Sequence, residues 1–165
     1  MSVSWLEEDP DVLFMRLALG EARKAADQGE VPVGAVAVHP RLGVIGQAHN
    51  QKETLNDATA HAEIIAVGQA SAALESWRLD GVTLFTTLEP CAMCAGALVQ
   101  ARVGRVVYGA RDPKAGAVES VVELFRPGLF NHDIPWRAGV LEDECGGILT
   151  RFFKERRKSG AAEDQ

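Results

Sequence analysis

The segment Thr87–Cys94, TLEPCAMC, sets Cys91 and Cys94 either side of a two-residue gap, directly after Pro90. Such a pair serves as a disulfide, as a redox couple or as part of a metal site. The chain has 3 cysteines, and an odd count in a chain read as cytoplasmic weighs against a persistent disulfide. The aromatic and proline neighbours of thioredoxin-like redox sites are missing. A structural four-ligand site needs a second pair, whereas Cys145 is a lone cysteine with no histidine beside it. A catalytic metal needs three protein ligands and an open position, which directs attention to the histidines.

Of the 4 histidines, His39 and His49 read as ordinary surface or hydrogen-bonded residues, and His132 lies in a turn. His61 differs, because it stands in TAHAEI where a helix begins, with Glu63 two residues on. In mid-helix, positions i and i+2 face different sides. At the first turn, side chains lean back past the N-terminus, so both can reach one point off the helix end. Cys91 and Cys94 do the same from the next helix start. Two helix N-termini aimed at one spot favour thiolates. Two thiolates and a neutral imidazole can then hold a zinc ion that acidifies a water, with Glu63 as the acceptor of its proton and later the donor to a leaving group.

Apolar spacing predicts the elements that carry these residues. A first helix spans 11–28, with Gly29 as its stop. VPVGAVAV and GVIGQAHN, separated by HPRL, read as a strand pair, the first buried on both faces. Asp57 or Thr59 can cap a helix from about Ala60 through Leu74. VTLFTT is a third strand, and Pro90 opens a third helix over CAMCAGALVQA. RVVYGA is a fourth strand, followed by a short helix around Ser120 to Phe125. A weak fifth strand near Ile134 to Arg137 is confined by Pro135 to an edge or a bulge. A last helix runs from about Glu142 to Lys158. This order implies an α/β fold, a mixed sheet with helices on both faces.

The 165 residues fit one domain, with a core about 11–158 and dispensable ends. No apolar run approaches the roughly 18 residues of a spanning helix, and the acidic start MSVSWLEEDPD lacks the pattern of a secretory signal. No membrane association is expected. A net charge of −6 excludes a protein that coats nucleic acid nonspecifically. The stretch RFFKERRK near the C-terminus is nevertheless basic. In it Phe152 and Arg156, like Phe153 and Arg157, are i,i+4 neighbours that can stack on an unpaired base and hold its phosphates. The alternative is a core helix with a solvated basic end.

H-x-E followed by P-C-x-x-C is the known signature of the zinc-dependent nucleobase deaminases. The chain most closely resembles the bacterial tRNA-specific adenosine deaminases, from about Val12 to Lys158. EVPVGAV, a hairpin ending in Asn50, DATAHAEI, TLEPCAMCAGAL, RVVYGARDPKAGA, PGLFNH and DECGGIL…FF carry the likeness. The resemblance implies the three-layer αβα cytidine-deaminase-like fold with a central mixed five-stranded sheet, one Zn2+ per chain and a homodimer. It also implies conversion of adenosine to inosine at the first anticodon position of an arginine tRNA. His61, Cys91 and Cys94 match the zinc ligands and Glu63 the proton shuttle. Asn50 matches the residue that bonds the target base, with a plain turn residue as the alternative, and Pro32 and Val33 match the pocket wall. Asp112, Asn131 and His132 match loop positions that meet the anticodon loop, with a plain turn or capping role as the alternative for each. The loop QKETLND and the segment DIPWRAG depart from the family pattern.

Two rivals follow. A deaminase of a free base such as guanine uses the same zinc chemistry, although guanine deaminases usually carry a proline where this chain has Ala92, and free-cytidine deaminases a cysteine in place of His61. A noncatalytic zinc-stabilised RNA-binding subunit typically lacks the shuttle glutamate, and Glu63 is present.

Overall fold

The computed structural model of the chain describes residues 8–163, with side chains to residue 160; residues 1–7, 164 and 165, within the ends expected to be dispensable, lie outside it. Helix α1 spans Pro10–Asp27, capped by the Asp9 carboxylate, which accepts from Asp11 N–H at 3.0 Å, with Pro10 in the first turn where its missing N–H costs nothing. Strands β1 (Gly34–His39) and β2 (Gly43–His49) form the hairpin, and β3 (Thr83–Leu88), β4 (Arg105–Ala110) and the two-residue β5 (Trp136–Arg137) complete the sheet. Between them lie α2 (Ala62–Leu74) and α3 (Ala92–Gln100), and α4 (Glu142–Glu163) follows β5. The sheet order is β2-β1-β3-β4-β5. β1 is antiparallel to β2 and β3, whereas β4 is parallel to β3 and β5, so the sheet is mixed.

Alternation along each strand sorts the core into two halves. Ala35, Ala37, Leu84, Val106 and Tyr108 pack with Ala66 and Ala70 of α2 and Leu98 of α3. Val36, Phe85 and Val107, one residue out of phase, pack on the other face with Met15, Ala18 and Leu19 of α1 and Cys145 and Ile148 of α4. Burial on both faces explains why these strands read as continuous apolar runs. Two glycines let the outer layer sit close. A Cβ on Gly34 would stand 1.9 Å from the Ala18 carbonyl oxygen, and one on Gly109 would stand 2.3 Å from Cys145 Sγ. Cys145 is thus a buried packing thiol under β4, its pKa pushed up to about 12 by burial.

The structure corrects three sequence expectations. The region Ser120–Phe125 is a series of turns, not a helix. Its N–H groups are taken by other acceptors: Ser120 N–H donates to the distant Glu89, and Val121 and Val122 to Gly116 and Leu124 to Ala117 within the same loop. No i→i−4 ladder remains to form. The N-cap of α2 is His61, not Asp57 or Thr59. Asp57 Oδ1 instead accepts the Thr59 N–H at 2.8 Å and its hydroxyl at 2.7 Å, closing a local turn. Finally, α4 runs one turn and more beyond Lys158. β5 lies at the sheet edge, as Pro135 requires.

Candidate metal centre and substrate cleft

His61 and Cys91 are both N-cap residues, in extended conformation at φ −75°, ψ 150° and φ −73°, ψ 174°. Neither side chain caps its own helix, which leaves ring and thiol aimed past the helix ends. The two N-termini meet beside the C-terminal end of β3. His61 Nδ1 lies 3.6 Å from Cys91 Sγ and 3.5 Å from Cys94 Sγ. All three ligand atoms fall within 4.8 Å of one another. Tetrahedral zinc, with bonds of about 2.3 Å to sulfur and about 2.0 Å to nitrogen, separates those donors by about 3.5 Å. The donor set and its spacing therefore fit such an ion.

The electrostatics point the same way. The Cys91 thiol is lowered to about 4, chiefly because the Cys94 thiol donates to it, with His61 adding to the effect. That donation and burial hold the Cys94 proton in place and push its pKa up. One shared proton serves two thiols here, and a bound cation that displaces it would leave both as thiolates. Cys91 also raises the pKa of His61, against the effect of burial.

Glu63, in the first turn of α2, is 4% exposed. Burial raises its pKa above the usual carboxylate range. The Thr86 hydroxyl lies 3.2 Å from Glu63 Oε1 and 3.2 Å from the Leu88 carbonyl, and its single hydrogen serves one of them at a time. The carboxyl therefore sits beside the ligand cluster with few firm donors.

A cleft of about 190 Å³ opens over this cluster. Its base is formed by His61, Glu63 and Cys91, one wall by Val31, Val33, Asn50 and Lys52, and the other by Leu88, Glu89, Asp112 and Ala115. Asn50 is buried and oriented by its neighbours: its Nδ2 donates to the Val31 carbonyl and its Oδ1 accepts the Lys52 N–H, both at 3.2 Å. Asp112 Oδ1 accepts from Lys114 and Ala115 N–H at 3.0 and 3.2 Å, so this residue both closes a turn and faces the cleft.

Other residues singled out from sequence stand apart. Pro32 is buried but does not line the cleft, where Val31 does. The His132 ring lies against the Val103 carbonyl at 2.8 Å, which precedes β4 and is at the end of the sheet opposite the ligand cluster. Asn131 is exposed on the same turn. Phe152, Phe153 and Arg156 of α4 do not line the cleft either. They form a surface group instead, with the two rings edge to face at 5.5 Å and the Arg156 guanidinium 5.5 Å from the centre of the Phe152 ring.

Sequence reasoning missed two buried carboxylates beside the cleft. Glu30, 1% exposed, accepts Thr54 N–H at 2.6 Å, the Thr54 hydroxyl at 2.9 Å and Glu53 N–H at 3.2 Å, fixing the loop that carries Lys52. Burial alone would raise its pKa, but these donors hold it below the ordinary range. Glu89, 1% exposed, performs a similar task for residues 112–120. An acid at the end of an apolar strand was the signal available for each.

The family described as MafB19-like deaminase matches residues 10–157. The tRNA-specific adenosine deaminase of Bacillus subtilis (strain 168) is 49% identical over 152 residues, covering 92% of this chain and 94% of that one. Among solved structures, a chain studied for A-to-I editing by tRNA:A34 deaminases at the wobble position of transfer RNA superposes with a TM-score of 0.80. It is 48% identical, with 83% of this chain and 99% of that chain covered. The guanine deaminase of Nitrosomonas europaea gives a TM-score of 0.72 at 25% identity, with 86% of this chain and 83% of that one covered.

Proposed function

The chain belongs to the MafB19-like deaminases and, within them, to the tRNA-specific adenosine deaminases, and from that premise we propose that it is a zinc enzyme acting on the wobble adenosine of tRNA, arginine tRNA above all. The observation that carries the reading is the placement of His61 Nδ1 at 3.5 and 3.6 Å from two thiols, with Glu63 buried alongside. His61, Cys91 and Cys94 hold the metal, one ion per chain. When bound, zinc supplies the Lewis acidity that makes water a nucleophile near neutral pH.

The chain's own residues do the rest. The reaction adds the oxygen of water to C6 of adenine and releases the exocyclic nitrogen as ammonia. Glu63 takes a proton from the water on a carboxylate oxygen and returns it to the departing nitrogen. Its raised pKa makes the carboxylate a stronger base for the first of these transfers. Asn50, with its amide held by Val31 and Lys52, presents fixed polar atoms to the base edge. Val33 packs against the base, with the buried Pro32 behind it.

The cleft has the size for a single base, which suits a base flipped out of a larger molecule. At about 190 Å³ it is smaller than the roughly 300–1,000 Å³ of sites that enclose a whole drug-sized ligand. A flipped base needs only its own volume inside, and the rest of its carrier binds outside. Phe152, Phe153 and Arg156, with the neighbouring basic residues of α4, offer a stacking and phosphate-binding surface for that carrier. Action as a cytoplasmic homodimer belongs to the same proposal. Asn131 and His132 enter the RNA contact only if a second protomer or a long substrate reaches their end of the sheet.

The test is to give the zinc-loaded protein an arginine anticodon stem-loop with adenosine at its first position, beside free adenosine, cytidine and guanine. Ammonia and inosine are measured. Inosine in the stem-loop alone is expected; ammonia from guanine or a nucleoside, with the RNA untouched, replaces the substrate and demotes the α4 surface.

A further inference from the structure

Glu89 is a buried carboxylate with no part in the proton transfers assigned to Glu63, yet it receives an unusual number of donors. Its Oε1 accepts Glu119 N–H at 2.9 Å and Ser120 N–H at 3.1 Å, and the Tyr108 hydroxyl lies at 3.4 Å. Its Oε2 accepts Asp112 N–H at 3.3 Å. Both ends of the loop after β4 are thereby drawn to one side chain. The middle of that loop is fitted to the same group: a Cβ on Gly116 would overlap Glu89 Oε2, at 1.4 Å. Gly116 also pairs with Cys91 in an isolated bridge, and Ala117 N–H donates to the Pro90 carbonyl at 2.8 Å. The loop thus lies across the segment that carries a ligand thiol, and Asp112 and Ala115 on it form one wall of the cleft.

We infer that Glu89 is a positioning residue, which sets the Asp112–Ser120 loop as the substrate-binding wall of the cleft and acts on the reaction through Asp112 rather than through the reacting atoms. The inference rests on the reading that the cleft receives an adenosine presented by RNA. Its physical basis is that a carboxylate accepts at both oxygens, whereas an amide of the same shape accepts at one. In Glu89→Gln, whichever way the amide lies, an NH2 group meets backbone N–H donors, either at Asp112 or at Glu119 and Ser120. A buried donor left without an acceptor costs enough to release one end of the loop.

Three measurements on the metal-loaded protein decide it. Glu89→Gln is expected to raise KM for the anticodon stem-loop about tenfold with kcat changed less than about twofold, zinc content remaining at the wild-type level. Gly116→Ala, which displaces the loop without altering the chemistry of Glu89, is expected to reproduce that KM rise. Hydrogen exchange of Glu89→Gln is expected to speed up at least about tenfold at the Asp112, Glu119 or Ser120 amides, and to be unchanged at Gln51, whose N–H is bonded to Ala60 on the opposite wall. An unchanged KM, a fall in kcat alone, or faster exchange spread evenly through the protein would each overturn the inference. If wild-type protein leaves the stem-loop unedited, the functional reading has failed, and the exchange pattern still decides whether Glu89 holds the loop.

Discussion

Replacing Glu63 by alanine isolates the proton transfers proposed for it from everything else in the site. The side chain is 4% exposed, and the Thr86 hydroxyl, shared between Glu63 and the Leu88 carbonyl, keeps the latter as acceptor at 3.2 Å. The Thr86 hydroxyl is not stranded by the change. Burial disfavours the ionised carboxyl, so its removal relieves that cost while it opens a small cavity, and these two effects oppose each other. Thermal stability is therefore expected to stay within about 1 kcal/mol of wild type, or roughly 2–4 °C in Tm for a chain of this length. Activity behaves differently. General acid–base catalysis contributes about 10²–10⁴ in rate, equivalent to roughly 2.7–5.5 kcal/mol of barrier, and here one group serves two successive transfers. Single-turnover inosine formation in the stem-loop should fall by at least about a thousandfold, with one zinc per chain still present by elemental analysis. Retention of more than about a tenth of the rate would falsify the shuttle role. Loss of the metal would show instead that Glu63 organises the ligands.

Removal of the metal with a chelator is expected to abolish editing and to lower Tm by roughly 5–10 °C, the effect of a ligand present at about a hundred times its Kd; added zinc should restore both. Asp11 is bonded to Arg105 at 2.9 and 2.8 Å and to Arg137 at 2.7 Å, and the Arg105 contacts, against burial, hold its carboxyl below the usual range. The folded pKa is lower than the unfolded value, so the stabilisation is complete above about pH 4 and lost as pH falls through the folded value. Asp11→Asn should accordingly cost about 1–2 kcal/mol in urea unfolding at pH 7, discounted for the half-exposed guanidiniums, with a deficit that shrinks on acidification; a deficit constant down to pH 3 would refute the assignment. Gly34→Ala is expected to destabilise by about 3 kcal/mol or more, because the Ala18 carbonyl 1.9 Å from the new Cβ is backbone and cannot turn aside. On α4, Arg156→Ala should raise KM for the stem-loop and make the slope of log affinity against log salt shallower by about 0.7; an unchanged slope would place the RNA elsewhere.

That His61, Cys91 and Cys94 come together was legible because the signal is local twice over. His61 with Glu63, and Cys91 with Cys94, each lie within one turn at a helix start, so spacing alone indicated their direction. The same locality explains the misjudged capping of α2, since Asp57 satisfies the Thr59 donors before the helix begins. Residues 120–125 failed as a helix for a nonlocal reason: the acceptor that takes Ser120 N–H is Glu89, thirty-one positions earlier. His132 was assigned to the RNA surface by motif alone, while its ring is used by the Val103 carbonyl at the far end of the sheet. Glu30 and Glu89 were missed because an acid at a strand boundary is unremarkable until the loop that folds onto it is seen.

Three buried glutamates surround the cleft, and the donors each receives set what it can do. Glu30 has three donors from Thr54 and Glu53, is held ionised, and serves as a fixed post for one wall. Glu89 collects three backbone N–H groups and faces the Tyr108 hydroxyl, so both its oxygens are committed to the other wall. Glu63 has a hydroxyl shared with Leu88, and burial prevails over the groups that favour its charge. A carboxyl bound by many donors has those at one oxygen weakened or displaced if it takes up a proton, whereas one bound weakly can change protonation with less disturbance to its surroundings. The division of labour between walls and shuttle therefore follows from hydrogen-bond supply: adding a strong donor to Glu63 should slow the reaction by stabilising the carboxylate, even with every ligand of the metal intact.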